Sequence, residues 1–261
     1  MSQTHNNYYV GTAGYSHSNF YSVDIEPKQY FDIYKKIFNI VEINNTFYKA
    51  PTPDIIKKWY TNSPANFKFV IKLHKYYTHN KRLKLDKSIK LTLKNFLTTC
   101  IKLESKLAAI LIQLPPNFIM NDVNYARLVE FIKFFKSNKK FANINFAFEF
   151  RHKSFHVDKV WTLLKKSNMV FVIHDFNLDT INWSSFAMIQ KIITSNSLIY
   201  VRLHGTKLDY KGAYSKKYLH GMIICLNKFK KYDVCVIFNN TDEGQPACAI
   251  TNALALNKMI K

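Results

Sequence analysis

The chain has 261 residues, 48% of them hydrophobic and 15% aromatic, with a formal net charge of +21 at pH 7. That apolar content excludes a disordered chain, and the length suits one large core such as an α/β barrel. No apolar run approaches the roughly 18 residues of a membrane helix, and the start MSQTHNNYYV has no basic segment leading into an apolar one, so a cytoplasmic protein without a membrane partner is expected.

Eight short segments rich in Val, Ile, Phe and Tyr recur along the chain and read as strands: YYVGTAGY (8–15), IVEINNTFY (40–48), FKFVIKLH (67–74), AAILIQLP (108–115), INFAFEFR (144–151), VFVIHD (170–175), LIYVRLHG (198–205) and DVCVIFNN (233–240). Most are followed by helical periodicity. Leu93, Phe96, Leu97 and Cys100 follow the third segment, and Leu128, Phe131, Ile132 and Phe135 the fourth, each at i, i+3, i+4, i+7. Eight strand–helix units in this length are the arithmetic of a (β/α)8 TIM barrel, class α/β, as a single compact domain over 1–261. The sixth unit is the weakest, with HDFNLDTINWSS ahead of a poorly patterned helix around 185–195. An open doubly wound sheet competes, but GTAGYS lacks the G-x-G-x-x-G spacing of its phosphate-binding turn.

Cys100, Cys225, Cys235 and Cys248 form no C-x-x-C pair, so reduced, partly buried thiols are expected rather than disulfides or a structural zinc. The positive charge is spread over nearly every helical segment, and 34 lysines stand against four arginines. That pattern reads as A+T-rich coding bias rather than a nucleic-acid footprint, which would cluster the cations. Scarcity makes the arginines informative, because a planar bidentate donor is what lysine does not replace. Arg82, Arg151 and Arg202 fall at strand ends; Arg127 lies on a helix and reads as surface.

In FAFEFR, residues 146–151, alternation sends Phe146, Phe148 and Phe150 to one face and Ala147, Glu149 and Arg151 to the other. In a barrel the phenylalanines would pack on the helices, while Glu149 and Arg151 would line the interior at the C-terminal mouth. Glu42 with Asn44, Lys72 with His74, and Arg202 with His204 share the same late, alternating placement; Gln113, Asp175, Asn239 and Asn240 occupy matching positions. One reading is a structural network in which Glu149 pairs with Arg151 or Arg202. The other is a ligand site, favoured by the gathering of polar residues at one end of the strands.

Arginine and lysine beside amides suggest an anion, phosphate above all. The loops GTKLDYKGAYS and TDEGQPACA, the latter with Pro246 suited to opening a helix, would offer backbone N–H groups to it. The loop YYTHNKRL, with His79 and Arg82, would close over it. His5, His17, His152, His156 and His220 read as surface or packing residues, and Asp175 rather than His174 is expected to face inward.

Taken together, GTAGYSHSNFY (11–21), VEINNTFYKAP (41–51), FVIKLHKYYTHNKRL (69–83), ILIQLPPNF (110–118), FAFEFRHKSF (146–155), HDF (174–176), YVRLHG (200–205) with Tyr210, Gly212 and Tyr214, and FNNTDEGQPACAITNA (238–253) resemble the family called domain of unknown function 72, or YecE-like. The resemblance implies a TIM-barrel-like fold and supplies no reaction. The family typically has Trp at the positions of Tyr15 and Phe155 and Ser at Ala13, so an aromatic persists at two of these sites without the indole N–H.

The resulting expectation is an enzyme binding a phosphate-containing or other anionic ligand, with phosphoester hydrolysis as the reaction to test. Glu42, Glu149, Asp175 and His204 are the candidate catalytic groups. Tyr15, Asn44, Lys72, His74, His79, Arg82, Gln113, Arg151, Arg202, Asn239 and Asn240 are the candidate binding groups. A divalent metal held by dispersed residues is an open alternative, since no H-E-x-x-H motif is present. So is a non-catalytic protein that binds a phosphorylated small molecule or nucleic acid. Oligomeric state is not legible.

Overall fold

The computed structural model describes residues 6–17, 20–176, 181–195, 197–208, 210–241 and 248–260. Its strands in chain order are β1 (Asn7–Ala13), β2 (Ile40–Ile43), β3 (Lys68–Lys72), β4 (Leu107–Leu114), β5 (Phe146–Phe150), β6 (Val170–Phe171), β7 (Ile173–His174), β8 (Leu198–Leu203) and β9 (Asp233–Phe238). The helices are α1 (Tyr30–Ile37), α2 (Pro53–Asn62), α3 (Lys87–Cys100), α4 (Asp122–Lys136), α5 (Asp158–Lys166), α6 (Phe186–Ile192), α7 (Lys216–Leu226) and α8 (Cys248–Ile260). The strand–helix alternation expected of a (β/α)8 chain is present. The sixth predicted strand is interrupted at Val172, which turns eight predicted strands into nine pieces.

The chain gathers into two compact units, residues 43–171 and residues 1–42 with 172–261. In the central unit β3, β4, β5 and β6 run parallel in that order, with Gln113 of β4 in register with Glu149 of β5. Capping side chains set where its helices begin, because the first N–H groups of a helix have no partner within it. Thr52 accepts from Ile55 N before α2, Asp86 from Ile89 N before α3, and Asn121 from Asn124 N before α4. The predicted stripes on α3 and α4 are buried, and Phe146 of β5 stacks on Phe135 of α4 with ring centroids 3.8 Å apart. The phenylalanine face of FAFEFR is thus the face packed on a helix, as alternation requires.

In the other unit the parallel order is β2, β1, β9, β8, β7. Cys100, Cys225 and Cys235 are buried, Cys248 is half-buried, and all four are free thiols. Among the described residues no helix is long and apolar enough to cross a membrane. Residues 177–180 of the sixth unit, residues 242–247 of the last loop with Pro246, Asp209 and His5 lie outside the described residues.

Candidate functional site

Within the central unit, β3, β4 and β5 end in polar side chains that the adjoining turns bring into one group. Glu149 is fully buried and accepts from Arg151 Nε at 2.9 Å, so of the two pairings open to it the neighbouring arginine is one it makes. Arg151 Nη2 donates to Gln113 Oε1 at 3.3 Å, across the β4–β5 register. After β3, Tyr76–Asn80 form a five-residue π-helical turn, and Arg82 and Leu83 follow with φ of 47° and 60°. Non-glycine residues in the left-handed region store strain that neighbouring structure must hold. The turn carries His79, whose Nδ1 lies 2.9 Å from Thr78 Oγ1 and whose ring stands edge-on to Phe47.

The electrostatics of that imidazole define the group. Burial lowers the His79 pKa from its ordinary 6.5 to about 4, and the positive charges of Lys72, Arg151 and Arg82 push in the same direction. Lys72 Nζ also lies 4.5 Å above the Phe47 ring, and its backbone carbonyl accepts from Thr46 Oγ1 at 2.7 Å. His79 is therefore neutral at pH 7, among cations. His74 is held differently: Nδ1 accepts from Tyr76 N at 3.1 Å and Nε2 lies 2.9 Å from Tyr48 O, so the ring ties two loops together. Asn44, at the end of β2, has a buried Oδ1 without a hydrogen-bond partner among the described residues.

The other unit holds the remaining predicted residues in two networks. Arg202 and Glu42 are both fully buried and form a two-pronged ion pair, Nε to Oε2 at 2.8 Å and Nη2 to Oε1 at 2.7 Å. Tyr200 Oη also donates to Glu42 Oε2, and its pKa stands well above 10 through burial and the adjacent carboxylate. Arg202 thus presents two of its nitrogens to a carboxylate rather than to an incoming anion. Asp175 accepts from His204 N at 2.7 Å and from Tyr214 Oη, while Tyr214 Oη accepts from Gly205 N at 2.6 Å. Gly205 makes this turn possible: its φ is +111°, and a Cβ there would come within 2.1 Å of Lys211 O.

His204 Nδ1 lies 3.0 Å from Asn239 Nδ2, a donor, which leaves the ring proton of the neutral imidazole on Nε2. The rings of His174, Phe176 and Tyr210 surround it with centroids 5.6–6.1 Å away. Asn240 Nδ2 donates to Gly212 O and Asn252 Oδ1, and Asn252 in turn bonds both backbone groups of Tyr214. Tyr15 is half-buried against Phe31 and Tyr34. His17 is held by Thr12 and the Gly14 carbonyl, and burial lowers its pKa.

Among the described residues no three His, Cys, Asp or Glu side chains converge in a group able to hold a metal ion. The donor chemistry explains this: Glu42 faces a guanidinium and a phenol, Glu149 a guanidinium, and Asp175 a phenol and a backbone N–H. Reasoning from sequence did not single out Tyr200, Tyr214, Asn252 or Phe47 as partners in these networks. Tyr200 carried a signal, since it precedes Arg202 by two and so shares its face.

The profile of the family described as "Protein of unknown function DUF72" matches residues 9–261. A curated relative, UPF0759 protein YunF of Bacillus subtilis (strain 168), is 23% identical over 92% of this chain and 90% of its own. The crystal structure of a DUF72 family protein from Thermotoga maritima MSB8 superposes with a TM-score of 0.78 at 24% identity, covering 98% of this chain and 99% of that one. A xylose isomerase domain containing protein from Salmonella typhimurium LT2 superposes with a TM-score of 0.57 at 14% identity, covering 98% of each. The fold is a (β/α)8 TIM barrel related to xylose isomerase-like proteins, as the strand count indicates.

Proposed function

The chain belongs to the family described as Protein of unknown function DUF72, and we propose that it binds a phosphate-containing ligand at the carboxyl ends of β3, β4 and β5. One observation carries this reading: Lys72, Arg82 and Arg151 act together on His79, against the single carboxylate of Glu149 already paired within the group. Cations gathered round a neutral imidazole repel one another, and a phosphate placed among them relieves that repulsion with charge-assisted hydrogen bonds. Arg151 is oriented for this by Glu149 and Gln113, and Asn44 Oδ1 supplies an acceptor for a ligand hydroxyl.

Phosphoester hydrolysis is the reaction proposed for the site. His79 is the neutral base: a bound dianion raises its affinity for a proton just as water is to be deprotonated, and Thr78 steadies Nδ1. Glu149, tied to Arg151, positions the cation that takes up charge on the phosphoryl oxygens. No step is assigned to a metal, because the carboxylates present do not form a matching donor set. The prior engagement of Glu42, Glu149 and Asp175 favours a second reading, a protein that binds the phosphorylated ligand without turning it over.

Titration calorimetry with inorganic phosphate, paired with a chromogenic phosphomonoester and phosphodiester assay, tests both. Binding weakened severalfold by Lys72→Met and by Arg82→Ala, two changes that leave Glu149 paired, is the expected result. Turnover lost in His79→Asn with binding kept identifies the hydrolase; binding without turnover in the wild type identifies the binder. Phosphate that does not bind, or binds equally to both cation variants, refutes the site.

A further inference from the structure

The cation group continues into a set of aromatic rings that a bare phosphate does not need. Phe47 and Tyr48 lie perpendicular at 5.0 Å, and Tyr48 is 68% exposed. An exposed aromatic is ordinary, but this one is fixed in place. Its carbonyl is bound by His74, Lys75 Nζ lies 5.2 Å from its ring centroid, and Phe47 beneath it is itself clasped by Lys72 and His79. Six residues on from Lys75, Lys81 Nζ lies 5.4 Å from the ring of Tyr76. Three cation–aromatic pairs thus come from two short segments, 47–48 and 72–82, beside Arg82 and Arg151.

Rings interleaved with cations match one ligand chemistry in particular. Single-stranded nucleic acid presents a π-face and a phosphate at each step, and proteins hold it by stacking bases on aromatic side chains while a positive track follows the backbone. A small sugar phosphate or free phosphate would use the cations and leave Tyr48 idle. We infer that the phosphate-containing ligand is single-stranded nucleic acid, with one base stacked on Tyr48 and the adjoining phosphates on Lys72, Arg82 and Arg151. The inference rests on the anion site proposed above and names its ligand. It also gives part of the +21 charge a local purpose that its even spread along the sequence conceals.

The test compares a fluorescent twelve-residue oligothymidylate with an abasic strand of equal phosphate count, by anisotropy at low and moderate salt. Stacking on one aromatic predicts that the wild type prefers the base-bearing strand by about tenfold or more. Tyr48→Ala should remove that preference while leaving the abasic strand's affinity unchanged, and Tyr48→Phe should keep it. Lys72→Met should weaken both strands, whereas Lys139→Ala with Lys140→Ala, on a separate turn, should weaken them far less. Equal affinity for the two strands in the wild type, or no effect of Tyr48→Ala, overturns the nucleic-acid assignment; if inorganic phosphate still binds and responds to Lys72→Met, the anion site stands. Failure of both strands and of phosphate overturns the assignment and the site together.

Discussion

Changing Glu42 to Gln perturbs an ion pair in which neither side chain has any exposed surface. The variant keeps the shape of the side chain and removes its charge, leaving the Arg202 guanidinium buried opposite a neutral amide and Tyr200 facing a weaker acceptor. Breaking a buried pair by neutralising one partner costs about 3–5 kcal/mol, because the remaining charge has lost its water without compensation. In a chain of this size each kcal/mol moves the melting temperature by about 2–4 °C, so a drop of roughly 6–20 °C is expected. Replacing both partners, Glu42→Leu with Arg202→Met, removes the stranded charge and should recover most of the loss. Urea denaturation and thermal melting of wild type, both single variants and the double variant form a complete cycle. A Glu42→Gln variant within about 1 kcal/mol of wild type, the range of an exposed pair, would refute the reasoning.

Three further outcomes follow from the geometry. His79 should titrate near pH 4 by NMR, from burial and the cations beside it; because its folded pKa lies below the unfolded 6.5, it costs stability as pH falls from about 6.5 to about 4, and His79→Asn should flatten stability across that window. Tyr214→Phe deletes the hydroxyl that donates to Asp175 and accepts from Gly205 N, and should cost about 1–3 kcal/mol in urea denaturation. Glu104 has φ of 49° and ψ of −128°, a conformation that suits glycine, so Glu104→Gly should stabilise by about 1 kcal/mol despite losing the exposed hydrogen bond from Tyr60; a destabilised variant would show that this strain is not stored there.

Much of this architecture is legible in the sequence because it depends on period. Alternation in FAFEFR sets which face of β5 meets Phe135 and which carries Glu149, and the stripe from Leu128 to Phe135 marks the buried side of α4. What period does not encode is partnership across the chain. Glu42 and Arg202 are 160 residues apart, and nothing local indicates that they take up one another's charge. The π-helical turn that carries His79 breaks the 3.6-residue repeat, so its facing was not readable; a loop closing over the site was expected from YYTHNKRL, and the structure shows an ordered turn whose imidazole lies among three cations. Asn240 and Asn252 illustrate a further limit, since an amide looks the same in sequence whether it meets a ligand or, as here, holds the backbone from Gly212 to Tyr214.

The measurement that bears most directly on the anion site is the His79 titration midpoint, followed by NMR with and without saturating inorganic phosphate. Phosphate among Lys72, Arg82 and Arg151 cancels the repulsion that depresses the midpoint, so a rise from about 4 by a unit or more is predicted, with phosphate binding tightening as pH falls through the new midpoint. A midpoint that stays near 4 while phosphate saturates the protein would place the anion elsewhere and contradict the account.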